Sequence, residues 1–227
     1  PAHPPTGGLR LGDLRGWRLA VADDAPPAER YAAEEFREFF RQASGTLLAP
    51  AQPDAPPVRL IAIGHQAARR FGGDSWAPEG FGEEESRLRI DPALLIIAGG
   101  LPRGTLYGVY GFLEDCLGVR FLASDATHVP PLDDARILAT TDRRHRPRFA
   151  FRWPYSYETN NDPVLATRQR TNAVQTCLEA LQRPFMRKPP VAQDGRPFRN
   201  ADPCFGGVSP LGLVGHSFYE LLPPAAY

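Results

Sequence analysis

The segment whose residue types and spacing come nearest to ligand chemistry is Gly99-Gly100-Leu101-Pro102-Arg103-Gly104-Thr105. It joins a strand-like run to a helix-like run, where backbone N–H groups can cradle a phosphate. A dinucleotide fingerprint needs glycine at position 101, which is Leu, and a Walker A loop needs Lys at position 105, which is Thr. Without that lysine no point charge awaits a β- or γ-phosphate. The segment therefore reads as a tight strand-to-helix turn, and no cofactor is expected.

Other chemistries fare no better. His3, His65, His128, His145 and His216 are scattered, without the HExxH or similar spacing that places two imidazoles on one metal. Cys116, Cys177 and Cys204 are odd in number and far apart, so neither a disulfide framework nor a CxxC site is expected. Gly215-His216-Ser217-Phe218-Tyr219 opens like a nucleophile elbow, but Tyr219 stands where the final glycine belongs. Glycoside hydrolysis needs two carboxyl groups facing each other across a sugar. Glu158, Asp162, Glu179 and Glu220 are available in the later region, and none has a context that marks it as an acid or a nucleophile. No catalytic residue is assigned. Arg143, Arg144, Arg146 and Arg148 form a basic cluster without the interleaved aromatics of a nucleic-acid platform, which suits a solvated, salt-bridged segment.

Composition limits the partners. Lys and Arg total 26 and balance 26 Asp and Glu, so net charge gives no case for nucleic acid or an anionic membrane. No apolar run reaches the roughly 20 residues that cross a bilayer. Lys188 is the only lysine, a skew that fits a GC-rich bacterial genome better than a chemical need. The start at Pro1, in PAHPPTGG, suits a mature chain after signal-peptide removal or a trimmed one.

The elements that must position any site alternate along the first 140 or so residues. Trp17–Ala22 reads as a strand, and Pro27–Ser44 as a helix with Ala32, Phe36, Phe39, Phe40 and Ala43 on one stripe and Gly45 as its stop. Val58–Ile63 is a β-rich run. Ser86–Ile90 alternates Arg with Leu and Ile, and Leu94–Ala98 returns after Asp91-Pro92, which predicts a hairpin. A second helix covers Gly104–Leu117, and Val119–Leu122 and Ala135–Leu138 are short strand candidates. The result is an α/β sandwich, a mixed sheet with two main helices, since a hairpin excludes a purely parallel doubly wound sheet. Residues 141–148 read as a linker between a domain at 1–140 and a second region at 149–227. In that second region Phe149–Tyr157 is an aromatic strand candidate, Val164–Leu181 is weakly helical, and Arg183–Gly212 is loop-like.

The stretch from Ile97 to Pro131, IAGGLPRGTLYGVYGFLEDCLGVRFLASDATHVPP, resembles the N-terminal domain of α-glucuronidases and of related glycoside-hydrolase-like proteins of the DUF4838 type. It is also similar to the α/β domain that precedes the barrel of β-N-acetylhexosaminidases. The helix ERYAAEEFREFFRQASG and the terminal GHSFYELLPPAAY fit the same pattern. The resemblance implies that a (β/α)₈ barrel follows the first domain. Residues from Phe149 onward would supply about a third of such a barrel, with the catalytic carboxylates on later strands beyond Tyr227. The expected partners are then a carbohydrate substrate and the rest of the barrel, and the expected location is secreted or periplasmic. Arg152, Trp153 and Tyr155, along the first barrel strand, are candidate sugar contacts, since Arg can clamp a carboxylate and aromatic faces stack on sugar rings. His216 and Tyr219 join them from the terminal patch of resemblance.

Two further readings stay open. A carbohydrate-binding module needs coplanar exposed aromatics, which Trp17, Trp76 and Trp153 could supply only if the fold gathers them. A protein-interaction domain needs a large apolar face covered by a partner.

Overall fold

The computed structural model describes residues 8–52, 54, 56, 58–149, 152, 156, 158, 159, 162–172 and 203–206. The chain divides between Arg148 and Phe149 into two units. The first holds a six-stranded sheet built from β2 (Arg18–Ala20), β3 (Ala49–Pro50), β4 (Leu60–Ile63), β5 (Ser86–Ile90), β6 (Leu94–Gly99) and β10 (Thr141–His145), in the order β10-β5-β6-β4-β2-β3. Strands β3, β2, β4 and β6 run parallel, while β5 pairs antiparallel with both β6 and β10. The expected hairpin and the mixed sheet are both present. β1 (Gly8–Arg10) pairs with β9 (Ile137–Ala139), and β7 (Arg120–Ala123) with β8 (Ala126–His128), as separate two-stranded ribbons.

Side-chain alternation sorts the central strands onto two faces. Leu60 and Ala62 of β4 and Leu94, Ile96 and Ala98 of β6 pack with Ala67 and Ala68 of helix α2 (His65–Gly72) and with Trp76. Their neighbours Ile61, Ile63, Leu95 and Ile97 face the other way and are fully buried. On that face lie α1 (Pro27–Ser44) and α3 (Gly104–Asp115), with Phe36 of α1 stacked 5.4 Å from Phe112 of α3. Phe39 and Tyr110 both meet the Phe121 ring edge-on, at 5.3 and 5.4 Å. Each such ring contributes about 2–3 kcal/mol by leaving water.

Local chemistry explains the helix bounds. Pro27 opens α1, where its missing N–H costs nothing, and Gly45 closes it at φ 73° with its N–H on the Arg41 carbonyl. Helix α3 is buried nearly all round rather than along one stripe. Gly108 makes this possible, because a Cβ there would stand 2.9 Å from the Ile97 side chain.

Besides the short strands β1, β3 and β8, which the sequence reading does not contain, the structure departs from it in two places. A third helix, α2, occupies His65–Gly72, where none was expected; eight residues with two small alanines carry too short a stripe to reveal it. Thr141–His145, read as part of the linker, is strand β10, paired residue for residue with β5. Its polar sequence hides the strand because it has almost no buried face: Arg87 of β5 binds Asp142 across the pair at 2.7 Å instead.

In the second unit the described elements are the short helix α4 (Pro163–Arg168), within the expected helical region, and a single 3₁₀ turn at Pro203–Phe205. Asp162 caps α4, accepting the Val164 and Leu165 N–H groups. The expected first barrel strand and the terminal patch lie almost wholly outside the described residues.

Candidate functional site

The glycine-rich turn after β6 holds no ligand space. The Gly99 N–H donates to Thr105 Oγ1 at 3.1 Å, the Gly100 N–H to the Glu85 carbonyl at 2.7 Å, and the Gly104 N–H to the Gly100 carbonyl at 2.7 Å. A Cβ on Gly99 or Gly104 would collide with the Glu85 carbonyl oxygen, and one on Gly100 with that of Gly82. The glycines therefore admit the 82–85 backbone, not an anion. Beside them Arg103 and Glu84, each 4% exposed, form an ion pair at 3.3 Å. Burial pushes the neighbouring Glu85 carboxyl up, but the Gly82 N–H and the Arg144 and Arg146 guanidinium groups outweigh it, and its pKa ends below the ordinary value.

A second cluster lies where three helices begin. Glu29, in the first turn of α1 and 1% exposed, accepts the His65 backbone N–H at 3.1 and 3.2 Å. Thr105, at the start of α3, donates its hydroxyl to Glu29 Oε1 at 3.0 Å, and His65 Nδ1 contacts the same oxygen. One carboxylate thus binds the starts of α2 and α3 to α1, and at α2 it supplies the acceptor that a first-turn N–H lacks internally. The residue types are those of a hydrolase triad, but the order is not: the hydroxyl donates to the carboxylate rather than to the imidazole. The cluster is also buried, with His65 6% exposed and its ring edge against Phe81 at 5.6 Å. It reads as a fastening. In the sequence Glu29 is no more than an acid in the first turn of a helix, and nothing in a lone Gly-His or Gly-Thr pair announces the convergence.

Open space occurs at the other side of the same sheet rim. Strand β2 leads to α1 on one face, while its neighbour β4 leads to α2 on the opposite face. Adjacent strands whose exits part in this way leave a crevice at their carboxyl ends. Two cavities fill it, sharing Val21, Ala22, Asp23 and Ala51. The one beside α2, about 290 Å³, also takes in Gln52, Gln66, Arg70 and Phe71. The one beside α1, about 380 Å³, takes in Arg30, Glu34, Arg37 and Leu48.

Of the five candidate sugar contacts, Arg152 alone lies among the described residues. Its guanidinium donates to the Arg170 carbonyl at 2.9 Å and the Phe149 carbonyl at 2.7 Å, and its backbone N–H donates to Asn172 Oδ1 at 2.8 Å. These contacts fasten chain to chain. Trp153, Tyr155, His216 and Tyr219 fall outside the described residues. Trp17 and Trp76 are 3% and 0% exposed, so neither belongs to an exposed aromatic platform. Among the described residues no three His, Cys, Asp or Glu side chains are grouped to hold a metal, and no helix is long and apolar enough to cross a membrane.

No family model and no curated protein matches the chain. Among solved structures, a family GH115 4-O-methyl-α-glucuronidase with specificity for decorated arabinogalactans is similar over 58% of this chain and 17% of its own, at 14% identity and a TM-score of 0.41. A mutant Streptomyces plicatus β-hexosaminidase in complex with the product GlcNAc is similar over 77% of this chain and 31% of its own, at 18% identity and a TM-score of 0.43. Both are glycoside hydrolases, the chain spans under a third of either, and the likeness is one of partial fold.

Proposed function

We propose that this chain is the N-terminal, non-catalytic portion of a glycoside hydrolase of the α-glucuronidase-like type. In this reading the α/β unit scaffolds a barrel whose catalytic carboxylates are supplied by other residues of the enzyme. The observation that carries the non-catalytic half is the fate of the carboxylates in the sheet unit. Glu29 is bound by two helix starts, Glu35 accepts the Tyr110 hydroxyl at 3.0 Å, Glu84 pairs with Arg103, and Glu85 is held by Gly82 and Arg144. A general acid needs a desolvated carboxyl free to protonate a leaving group. Asp23 and Glu34, the acids beside the crevice, are exposed. The sequence resemblance over Ile97–Pro131 supports the glycosidase half, and Trp153, Tyr155, His216 and Tyr219 remain its candidate sugar contacts.

Two measurements test the reading. The 227-residue chain, incubated with 4-nitrophenyl glycosides and glucuronides, is expected to release no nitrophenol above the blank; turnover abolished by Glu34→Gln would defeat it. The gene read past the codon for Tyr227 is expected to continue into further strand–helix units with acids at strand ends, and a stop codon there removes the glycosidase half.

A further inference from the structure

We infer that the crevice beside α2, at the carboxyl ends of β2 and β3, binds a single neutral sugar ring. The inference rests on the geometry of the sheet unit and does not need the glycosidase reading.

Size comes first. A volume of about 290 Å³ lies at the lower bound of ligand clefts, roughly 300 Å³, which suits one ring rather than an oligosaccharide or a dinucleotide. The lining divides by chemistry. Ala22, Ala51 and Ala67 supply small apolar side chains, against which the C–H face of a pyranose can lie. Gln52, following β3, and Gln66, on α2, bring an amide from two different elements. Each amide offers two N–H donors and a carbonyl acceptor, the combination that vicinal hydroxyls satisfy by donating and accepting at once. Asp23 adds an acceptor and Arg70 a donor.

Charge decides against anions. Strand β2 runs out into Asp23-Asp24-Ala25-Pro26-Pro27, a stretch with no glycine, two carboxylates, and two prolines without N–H groups. A phosphate or uronate would approach Asp23 and find no backbone nest to compensate it. Arg70 is the one cation of the lining and Asp23 balances it, so the crevice offers an anion no net positive charge. The cavity on the α1 side is the poorer host: Arg30, Glu34 and Arg37 join Asp23 there, four charged groups against two, and Arg37 Nε holds the Leu48 carbonyl at 2.9 Å. Those groups would have to lose water to admit a ligand, whereas amides are far cheaper to desolvate.

The test is a titration of the ¹⁵N-labelled full chain, followed by amide shifts, with glucose, N-acetylglucosamine, glucuronate and inorganic phosphate separately, each into the tens of millimolar. Saturable shifts are expected with glucose or N-acetylglucosamine, confined to residues 20–23, 51–52 and 66–71 and to the side-chain NH₂ groups of Gln52 and Gln66. Gln66→Ala and Gln52→Ala are each expected to weaken that binding roughly fivefold while leaving the thermal midpoint in place. The inference is overturned if neither neutral sugar gives a saturable shift there, if only glucuronate or phosphate does, or if both amide variants bind the sugar as the parent does.

Discussion

The two sides of one sheet rim differ in a way their sequences invert. At the β6–α3 side, Gly99, Gly100 and Gly104 look like a phosphate loop, and the N–H groups of all three are taken by the protein itself. At the β2–β3 side the chain shows no motif, and there the rim opens into cavities of about 290 and 380 Å³. The cause is topological. Strand β6 has the antiparallel hairpin partner β5 beside it, and the residues entering β5 lie over the turn; β2 and β4 send their chains to opposite faces and leave the end of β2 uncovered. Glycine marks where backbone approaches backbone, and whether the approaching backbone is a ligand's neighbour or the protein's own is decided by strand order.

Substitutions on the two sides should therefore separate by size. The largest effect is expected at Glu29. Removing it in Glu29→Ala leaves the His65 N–H and the Thr105 hydroxyl buried without their acceptor, at about 3–5 kcal/mol. Glu29→Gln keeps one acceptor oxygen and should recover part of that, by urea unfolding. Gly104→Ala comes next, at about 1–3 kcal/mol or more, since its Cβ meets the unyielding Glu85 carbonyl. At the open side, Asp23→Asn and Gln66→Ala should change stability by no more than about 0.5 kcal/mol. A large loss at either would mean that the crevice is packed in solution.

A pH series sharpens the comparison further. The pKa of Asp142 is held below its ordinary 3.8 chiefly by Arg87, and that of Glu85 ends below its ordinary 4.5 through Gly82 and Arg144 against the opposing effect of burial. Both are depressed in the folded state. Their contribution is therefore complete above the ordinary carboxylate range and lost as pH falls through the lower folded values. Melting between about pH 6 and pH 3 should show the loss, and Glu85→Gln should flatten the curve slightly, the effect of a pair whose guanidinium is exposed to water being about 1 kcal/mol or less. The smallest expectation is chemical. Burial raises the Cys116 thiol to about 11, so at neutral pH a maleimide should leave it unlabelled until the chain is unfolded.

Much of this fold was legible because its periods are strong. The Phe36–Phe39–Phe40 stripe marked α1, the Leu88–Ile90 alternation and the Leu94–Ala98 run marked the hairpin, and Gly45 marked a helix end. What escaped reading was held by contacts distant in sequence. β10 is a strand because Asp142 meets Arg87 across 55 positions, and Glu29 joins His65 and Thr105 across 36 and 76. The crevice was invisible for the same reason: its walls come from β2, β3 and α2, and no one of them carries a signature alone. Trp17 and Trp76, offered as sugar platforms by residue type, went to the core because a large apolar ring stabilises more when buried than when exposed.

The sheet also ends in two unlike ways. β3 is two residues long and closes on Pro50, which has no N–H to offer, while β10 carries Asp142, Arg143, Arg144 and His145 along the opposite border. A neighbouring chain seeking to add a strand meets a missing donor at one border and a row of charges at the other. Protection from self-association is thus built into the same polar stretch that made β10 look like a linker.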